Sequence, residues 1–165
     1  MSRVFCNIFI ALMFSSILLA SNAVSAAATE APSIHLPAIE GELDLASLRG
    51  KVVYLDFWAS WCKPCQKSFP WMRELKSAYE SRGLEVVAVN LDKDRALADS
   101  FLKQLDVNFV VAFDGSGSTA SDYQLKGMPS SYLIGRDGKI YATHVGFRDQ
   151  DKQKLEAAIQ KLLAN

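Results

Sequence analysis

The stretch Val52-Val53-Tyr54-Leu55-Asp56-Phe57-Trp58-Ala59-Ser60-Trp61-Cys62-Lys63-Pro64-Cys65 decides the fold. Its first seven residues are a nearly unbroken β-branched and aromatic run, the pattern of a strand buried on both faces. Three small or aromatic residues follow, and a helix is expected to start near Cys62 and to continue to about Ser81. Two cysteines three apart therefore stand at a strand-to-helix junction. Asp56 is the discordant residue, a carboxylate in the middle of a core strand.

Outward from this unit, Pro70 falls inside the long helix, removes one amide donor and is expected to kink it. Arg82-Gly83 ends the helix. Leu84 to Leu91 reads as a second buried strand. Asp94 can cap a helix over 95–105, with Leu97, Phe101, Leu102 and Leu105 at helical spacing. Asn108 to Phe113 is a third strand, and Asp114-Gly115-Ser116-Gly117-Ser118 a loop before a short helix ending near Tyr123 or Leu125. Ser130 to Ile134, a turn at Arg136-Asp137-Gly138-Lys139, and Ile140 to Val145 form an antiparallel hairpin. Asp149 to Leu163 is an amphipathic helix. Before the deciding stretch, Ile34 to Pro37 is extended and Glu42 to Leu48 is a short turn or strand. This order predicts an α/β sandwich with a mixed central sheet flanked by helices.

The chain has 165 residues, half of them hydrophobic, enough for one domain with a substantial core. Part of that content lies near the start. From Val4 to Thr29 no charged residue occurs, and the apolar run through Ile8-Phe9-Ile10 to Leu18-Leu19-Ala20 reads as a secretory signal. Cleavage is expected near Ala26 or Ala23, with an uncleaved membrane anchor as the alternative. Residues 1–26 are thus read as signal peptide, 27–32 as linker and 33–165 as the folded domain. Cleavage takes Arg3, one of 18 basic residues, and leaves 17 against 18 acidic ones. No basic block or aromatic-basic stripe is present, so nucleic-acid binding is not expected.

Cleavage also takes Cys6, leaving Cys62 and Cys65 of the three cysteines. A bridge across two residues removes little unfolded-chain entropy and is a poor staple. Two cysteines fall short of a structural zinc site, and His35 and His144 show no ligand spacing toward them. Redox chemistry remains. Disulfide exchange needs an attacking thiolate and a second thiol to resolve the mixed disulfide. At a helix N-terminus, unpaired amides and the dipole favour a Cys62 thiolate, and Lys63 adds a solvent-screened positive charge. Pro64 is tolerated in the first turn. Cys65, one turn further in, is the resolving thiol. Asp56, if buried, has its pKa raised and can take the Cys65 proton. Met128-Pro129, just before a strand, is a rigid turn in either peptide isomer. If cis, it exposes the Met128 backbone to a substrate strand.

Tyr54 to Cys65 resembles the active-site segment of the thioredoxin superfamily. Pro70 matches that superfamily's helix kink, and Gly127-Met128-Pro129-Ser130-Ser131-Tyr132-Leu133-Ile134 its cis-proline segment. The resemblance covers residues 33–163 and implies a thioredoxin-like three-layer sandwich with Pro129 cis. Phe69-Pro70-Trp71-Met72, the export signal, an extra strand and helix, and the closing hairpin resemble the exported TlpA/ResA-like group. Two positions depart from it. Many members carry Glu three residues after the second cysteine, where Ser68 stands here, and many carry Asn where Asp56 stands.

The resemblance implies a periplasmic thiol-disulfide oxidoreductase that reduces disulfides in exported proteins, in some members during cytochrome c or copper-site maturation. Cys62, Cys65 and Asp56 are the expected catalytic groups, with Trp61, Met128 and Pro129 at the substrate ledge and Lys63 and Pro64 tuning the thiols. The dithiol needs no cofactor and no metal. The expected partners are protein disulfides and a membrane-embedded electron donor, with the chain a monomer. A copper carrier using both thiols and a peroxidase are the competing readings, the latter weakened by Ala59 where a peroxidatic motif has Thr. His35 and His144 are read as surface or satisfied strand residues, and Asp92-Lys93-Asp94-Arg95 as a solvated loop and helix start.

Overall fold

A computed structural model describes residues 28–165. The expected signal peptide and Cys6 lie outside the described residues. The elements are β1 (Thr29–Glu30), β2 (His35–Pro37), β3 (Glu42–Asp44), β4 (Val52–Trp58), α1 (Lys63–Tyr79), β5 (Leu84–Asn90), α2 (Arg95–Leu102), β6 (Val110–Phe113), α3 (Ser118–Asp122), β7 (Ser130–Ile134), β8 (Lys139–Val145) and α4 (Lys152–Leu163). Short 3-10 turns follow β3 and α1 and precede α4.

Six strands form one sheet in the order β1-β8-β7-β4-β5-β6. β4, β5 and β6 run parallel, while β7, β8 and β1 join antiparallel. Every residue of β4, β5 and β7 is buried, because helices or loops cover both sheet faces. One face packs Val52, Tyr54, Trp58, Val86 and Leu133 against α1, α2 and α4. The other packs Leu55, Phe57 and Val89 beneath the β2–β3 hairpin and Tyr123. Fully burying a Leu or Phe is worth about 1.5–3 kcal/mol, so these two layers dominate stability.

Departures from the sequence reading are confined to element ends and to the leading segment. Residues 27–32, read as linker, include β1, which hydrogen-bonds the hairpin end of β8 through Thr29↔Ile140 and Glu30↔Lys139. Two polar residues at a sheet edge carry no periodic signal. α2 stops at Leu102 rather than 105, and α1 passes into a 3-10 turn that Gly83 terminates at φ 94°. α1 runs through Pro70, whose ring is exposed. The hairpin turn places Gly138 at φ 76°, as Asp-Gly requires.

Candidate active site

β4 delivers the chain to the carboxyl end of the sheet, and Ala59-Ser60-Trp61 turns it into α1. Cys62 caps that helix. Its sulfur accepts the Cys65 amide at 3.3 Å, so a donor already points at the atom that carries thiolate charge. The two cysteines form a disulfide with Cα atoms 5.2 Å apart. Both are buried, Cys65 completely, while Lys63 and Pro64 lie on the exposed side of the first turn. Beside them Trp61 stands 67% exposed.

β7 begins next to this junction, since Ser130 pairs with Phe57 near the end of β4. The Met128–Pro129 peptide bond just ahead of it is cis. The Pro129 carbonyl accepts the Gly146 amide at 2.7 Å and Ser130 Oγ donates to the Gly127 carbonyl at 2.7 Å, which fix the turn. Among the described residues, no backbone hydrogen bond engages the Met128 amide or carbonyl.

Asp56 sits in the centre of β4, between β5 and β7, and not at an edge. Alternation places it with Tyr54 and Trp58 on the sheet face against which Cys62 and Cys65 pack. It is 1% exposed, and its Oδ2 has no hydrogen-bond partner among the described residues. Burial pushes its carboxyl well above the usual carboxylate range. Burial, and then the Asp56 charge, push the Tyr54 phenol up as well, against an opposing hydrogen bond from Ser131. No acid stands on the other flank: Ser68 is buried and its Oγ donates to the Cys65 carbonyl at 2.8 Å.

Two readings from sequence need correction. Asp92 is not in a solvated loop but 5% exposed, and it accepts the Ser60 amide at 2.8 Å, which ties it to the loop before Cys62. Its position just beyond the carboxyl end of β5 was the available signal, because sites of parallel sheets gather there. His144 is half-buried on β8, with its Nε2 buried 3.4 Å from Asp151 Oδ2 but outside hydrogen-bond geometry, so it is neither freely exposed nor fully hydrogen-bonded. Asp94, by contrast, caps α2 through the Ala96 amide at 3.0 Å. Among the described residues no group of three His, Cys, Asp or Glu could hold a metal ion.

The Redoxin family matches residues 26–159. A thiol-disulfide oxidoreductase ResA of Bacillus cereus is 38% identical over 134 residues, 81% of this chain and 76% of the relative. The ResA of Bacillus subtilis is 34% identical over 119 residues, 72% of this chain and 66% of the relative. Among solved structures, a candidate thiol:disulfide interchange protein DsbE from Chlorobium tepidum superposes with a TM-score of 0.81 at 49% identity, covering 82% of this chain and 96% of that one. StoA from Bacillus subtilis superposes with a TM-score of 0.64 at 27% identity, covering 74% and 96%.

Fold, dithiol and relatives together define a thiol-disulfide oxidoreductase with a thioredoxin-like fold. The chain belongs to the Redoxin family, as a TlpA/ResA-like member of the thioredoxin superfamily.

Proposed function

We propose that this oxidoreductase works outside the cytoplasm, in the periplasm, as a reductase of disulfides in exported proteins. The Cys62 thiolate attacks one sulfur of a target disulfide, forms a mixed disulfide and releases the first target thiolate. Cys65 then gives its proton to Asp56, and its thiolate attacks Cys62 Sγ. The second target thiolate leaves with the electron pair of the broken bond. The target has gained two electrons, and the enzyme holds the Cys62–Cys65 disulfide.

A membrane-embedded dithiol donor returns those two electrons. The target strand lies along the Met128–Pro129 ledge and against Trp61, where the Met128 backbone is free to pair. Cytochrome c and copper-site maturation are the processes such a reductase would serve.

The observation that carries this reading is the Cys65 amide aimed at Cys62 Sγ, beside an exposed tryptophan and a backbone ledge. Lys63 and the helix terminus favour the thiolate and so push toward an oxidant. The Lys-Pro pair and the resemblance to the TlpA/ResA-like group support a reductant. Equilibration of the Cys62–Cys65 couple against glutathione tests the direction. A potential near the ≈ −120 mV of a strong periplasmic oxidant overturns it, while one near the ≈ −270 mV of thioredoxin supports it. Cys65→Ser is expected to trap mixed disulfides through Cys62 with exported proteins, and trapping of none counts against the substrate class.

A further inference from the structure

β7 and β8 bring two polar residues onto the dithiol face of the sheet that the scheme above leaves unused. Asp56 pairs in register with Ser131, and Ser131 with His144. Cross-strand partners share a face, so Asp56, Ser131 and His144 form one row from the central strand to β8.

The place of His144 in that row depends on a break in register. Ile134 pairs with Ile140 but Leu133 pairs with Ala142, so one extra residue is accommodated in β8. Such a bulge reverses the alternation beyond it. Ile140 therefore packs on the far layer, whereas Ala142 packs on the dithiol layer, and His144 follows Ala142.

Apolar side chains surround the row. α4 presents Leu155, Ala158 and Ile159 to this face and α1 presents Phe69 and Met72. Ser68, a buried polar residue in the first half of α1, donates to the Cys65 carbonyl. Within β4, Tyr54 adjoins both Asp56 and the Ser131 hydroxyl. From β5, Ala88 stands opposite Asp56 and offers no charge. At the outer end His144 Nε2 lies 3.4 Å from Asp151 Oδ2, and Asp151 is itself held by Arg148 at 3.1 Å. Asp56, whose Oδ2 has no hydrogen-bond partner among the described residues, thus stands at the inner end of the row, and His144, whose Nε2 faces Asp151, at the outer end.

We infer that the proton Asp56 takes from Cys65 leaves across the sheet, through the Tyr54 and Ser131 hydroxyls, to His144 and out at the β8–α4 edge. Each hydroxyl accepts one proton as it passes another on, so neither changes state. An imidazole carries a lone pair on one ring nitrogen and an N–H on the other, so it can take a proton on one side and release one on the other, and its Nε2 faces the Asp151 carboxylate. The need is steric. During the resolving step a target protein covers Cys62 and Trp61, and a carboxyl buried beneath them has no direct access to water. His144 is then a positioning and relay residue, acting through Asp56 and not on the sulfurs.

The inference rests on Asp56 being the proton acceptor, and the test separates the two. Reduced protein is oxidised by insulin, a protein disulfide that covers the site as the relay requires, and closure of the Cys62–Cys65 bond is followed by tryptophan fluorescence from about pH 5 to about pH 9 in dilute buffer. His144→Ala is expected to slow closure of the Cys62–Cys65 bond about tenfold, with added imidazole restoring the rate. His144→Gln, which preserves bulk and folding, is expected to be equally slow. In an Asp56→Asn background, His144→Ala is expected to add nothing. A His144→Ala rate equal to the unaltered protein, a loss that imidazole leaves in place, or an additive effect in Asp56→Asn overturns the relay alone. An Asp56→Asn profile identical to the unaltered protein removes Asp56 as acceptor, and the relay with it.

Discussion

The Asp92 carboxylate accepts the Ser60 amide at 2.8 Å and the Ser60 hydroxyl at 3.1 Å, two residues ahead of Cys62. Asn90 holds it in place, donating from Nδ2 to Asp92 Oδ2 at 2.8 Å and accepting the Asp92 amide at 3.0 Å. On the other side Gln66 Nε2 donates to the Ser60 carbonyl at 2.9 Å. The end of β5 and the first turn of α1 therefore grip the same residue of the loop that carries Trp61.

Asp92→Ala removes the acceptor and leaves Asn90 and the Ser60 amide buried without it. We expect a loss of about 1–3 kcal/mol in urea unfolding. Turnover of a protein disulfide is expected to fall about tenfold or more as Cys62 and Trp61 lose their fixed placement. Asp92→Asn, which keeps one oxygen acceptor, is expected to fall between the two. Equal unfolding midpoints for all three proteins would mean that the clamp contributes nothing.

Asp56 acts on stability in the opposite direction. Its folded-state carboxyl is raised by burial, so the folded protein holds the proton that the unfolded chain releases. Stability from this group is fully present below the unfolded value of about 3.9 and declines as pH rises toward the folded value. Asp56→Asn is therefore expected to raise the melting temperature at neutral pH, by roughly 1–3 kcal/mol in stability, with the gain vanishing near about pH 4. Thermal unfolding at both pH values reads this, and a gain of equal size at both contradicts the assignment.

Trp61 offers a contrast, because it makes its contribution outward. Trp61→Ala is expected to change stability by less than about 0.5 kcal/mol. Reduction of a folded protein disulfide is expected to slow about tenfold while reduction of a small-molecule disulfide is nearly unchanged, since only the former fills the surface around it. Parallel assays with insulin and oxidised glutathione distinguish these outcomes, and equal losses on both would place Trp61 in the chemistry and not in docking.

Asp114 closes the loop between β6 and α3. It accepts the Thr119 and Gly117 amides at 2.8 and 2.9 Å and the Ser116 and Thr119 hydroxyls. Burial pushes its carboxyl up, but these four donors outweigh burial and hold it below the usual range. A depressed value means stability that is present above the unfolded value and is lost as pH falls through the folded one. Asp114→Ala is expected to cost about 1–3 kcal/mol at neutral pH and progressively less in acid. Urea unfolding at about pH 7 and about pH 3 checks the sign.

Most of the scaffold could be read from the chain because its central strands are buried on both faces. Val52–Trp58, interrupted by Asp56 alone, and Ser130–Ile134 are apolar or small-residue runs, and their bounds in the structure match the reading. The dithiol and Asp56 were likewise visible as residue types at odds with their local surroundings, whereas the cis form of Met128–Pro129 followed from the family resemblance and not from the local sequence. Asp92 was not, because its sequence neighbours Lys93, Asp94 and Arg95 are charged and its burial comes from Ser60, distant in sequence. His144 was hidden by the register break near Tyr141: alternation counted from Ile140 puts it on the wrong face. Both misses concern long-range placement, which local pattern does not carry.

The docking of β1 against the turn end of β8 has a consequence for how the molecule is presented. The strand meets Lys139 and Ile140, whereas the cis-proline ledge and Cys62 lie at the other end of the sheet, beside Val145. The seven residues of β4 separate these poles by about 20 Å. Polypeptide reaching residue 28 thus joins the domain at its base, with the reactive sulfurs at its crown. The end of the sheet at which β1 enters is the one turned away from the dithiol, so chain attached there leaves the reactive face unobstructed.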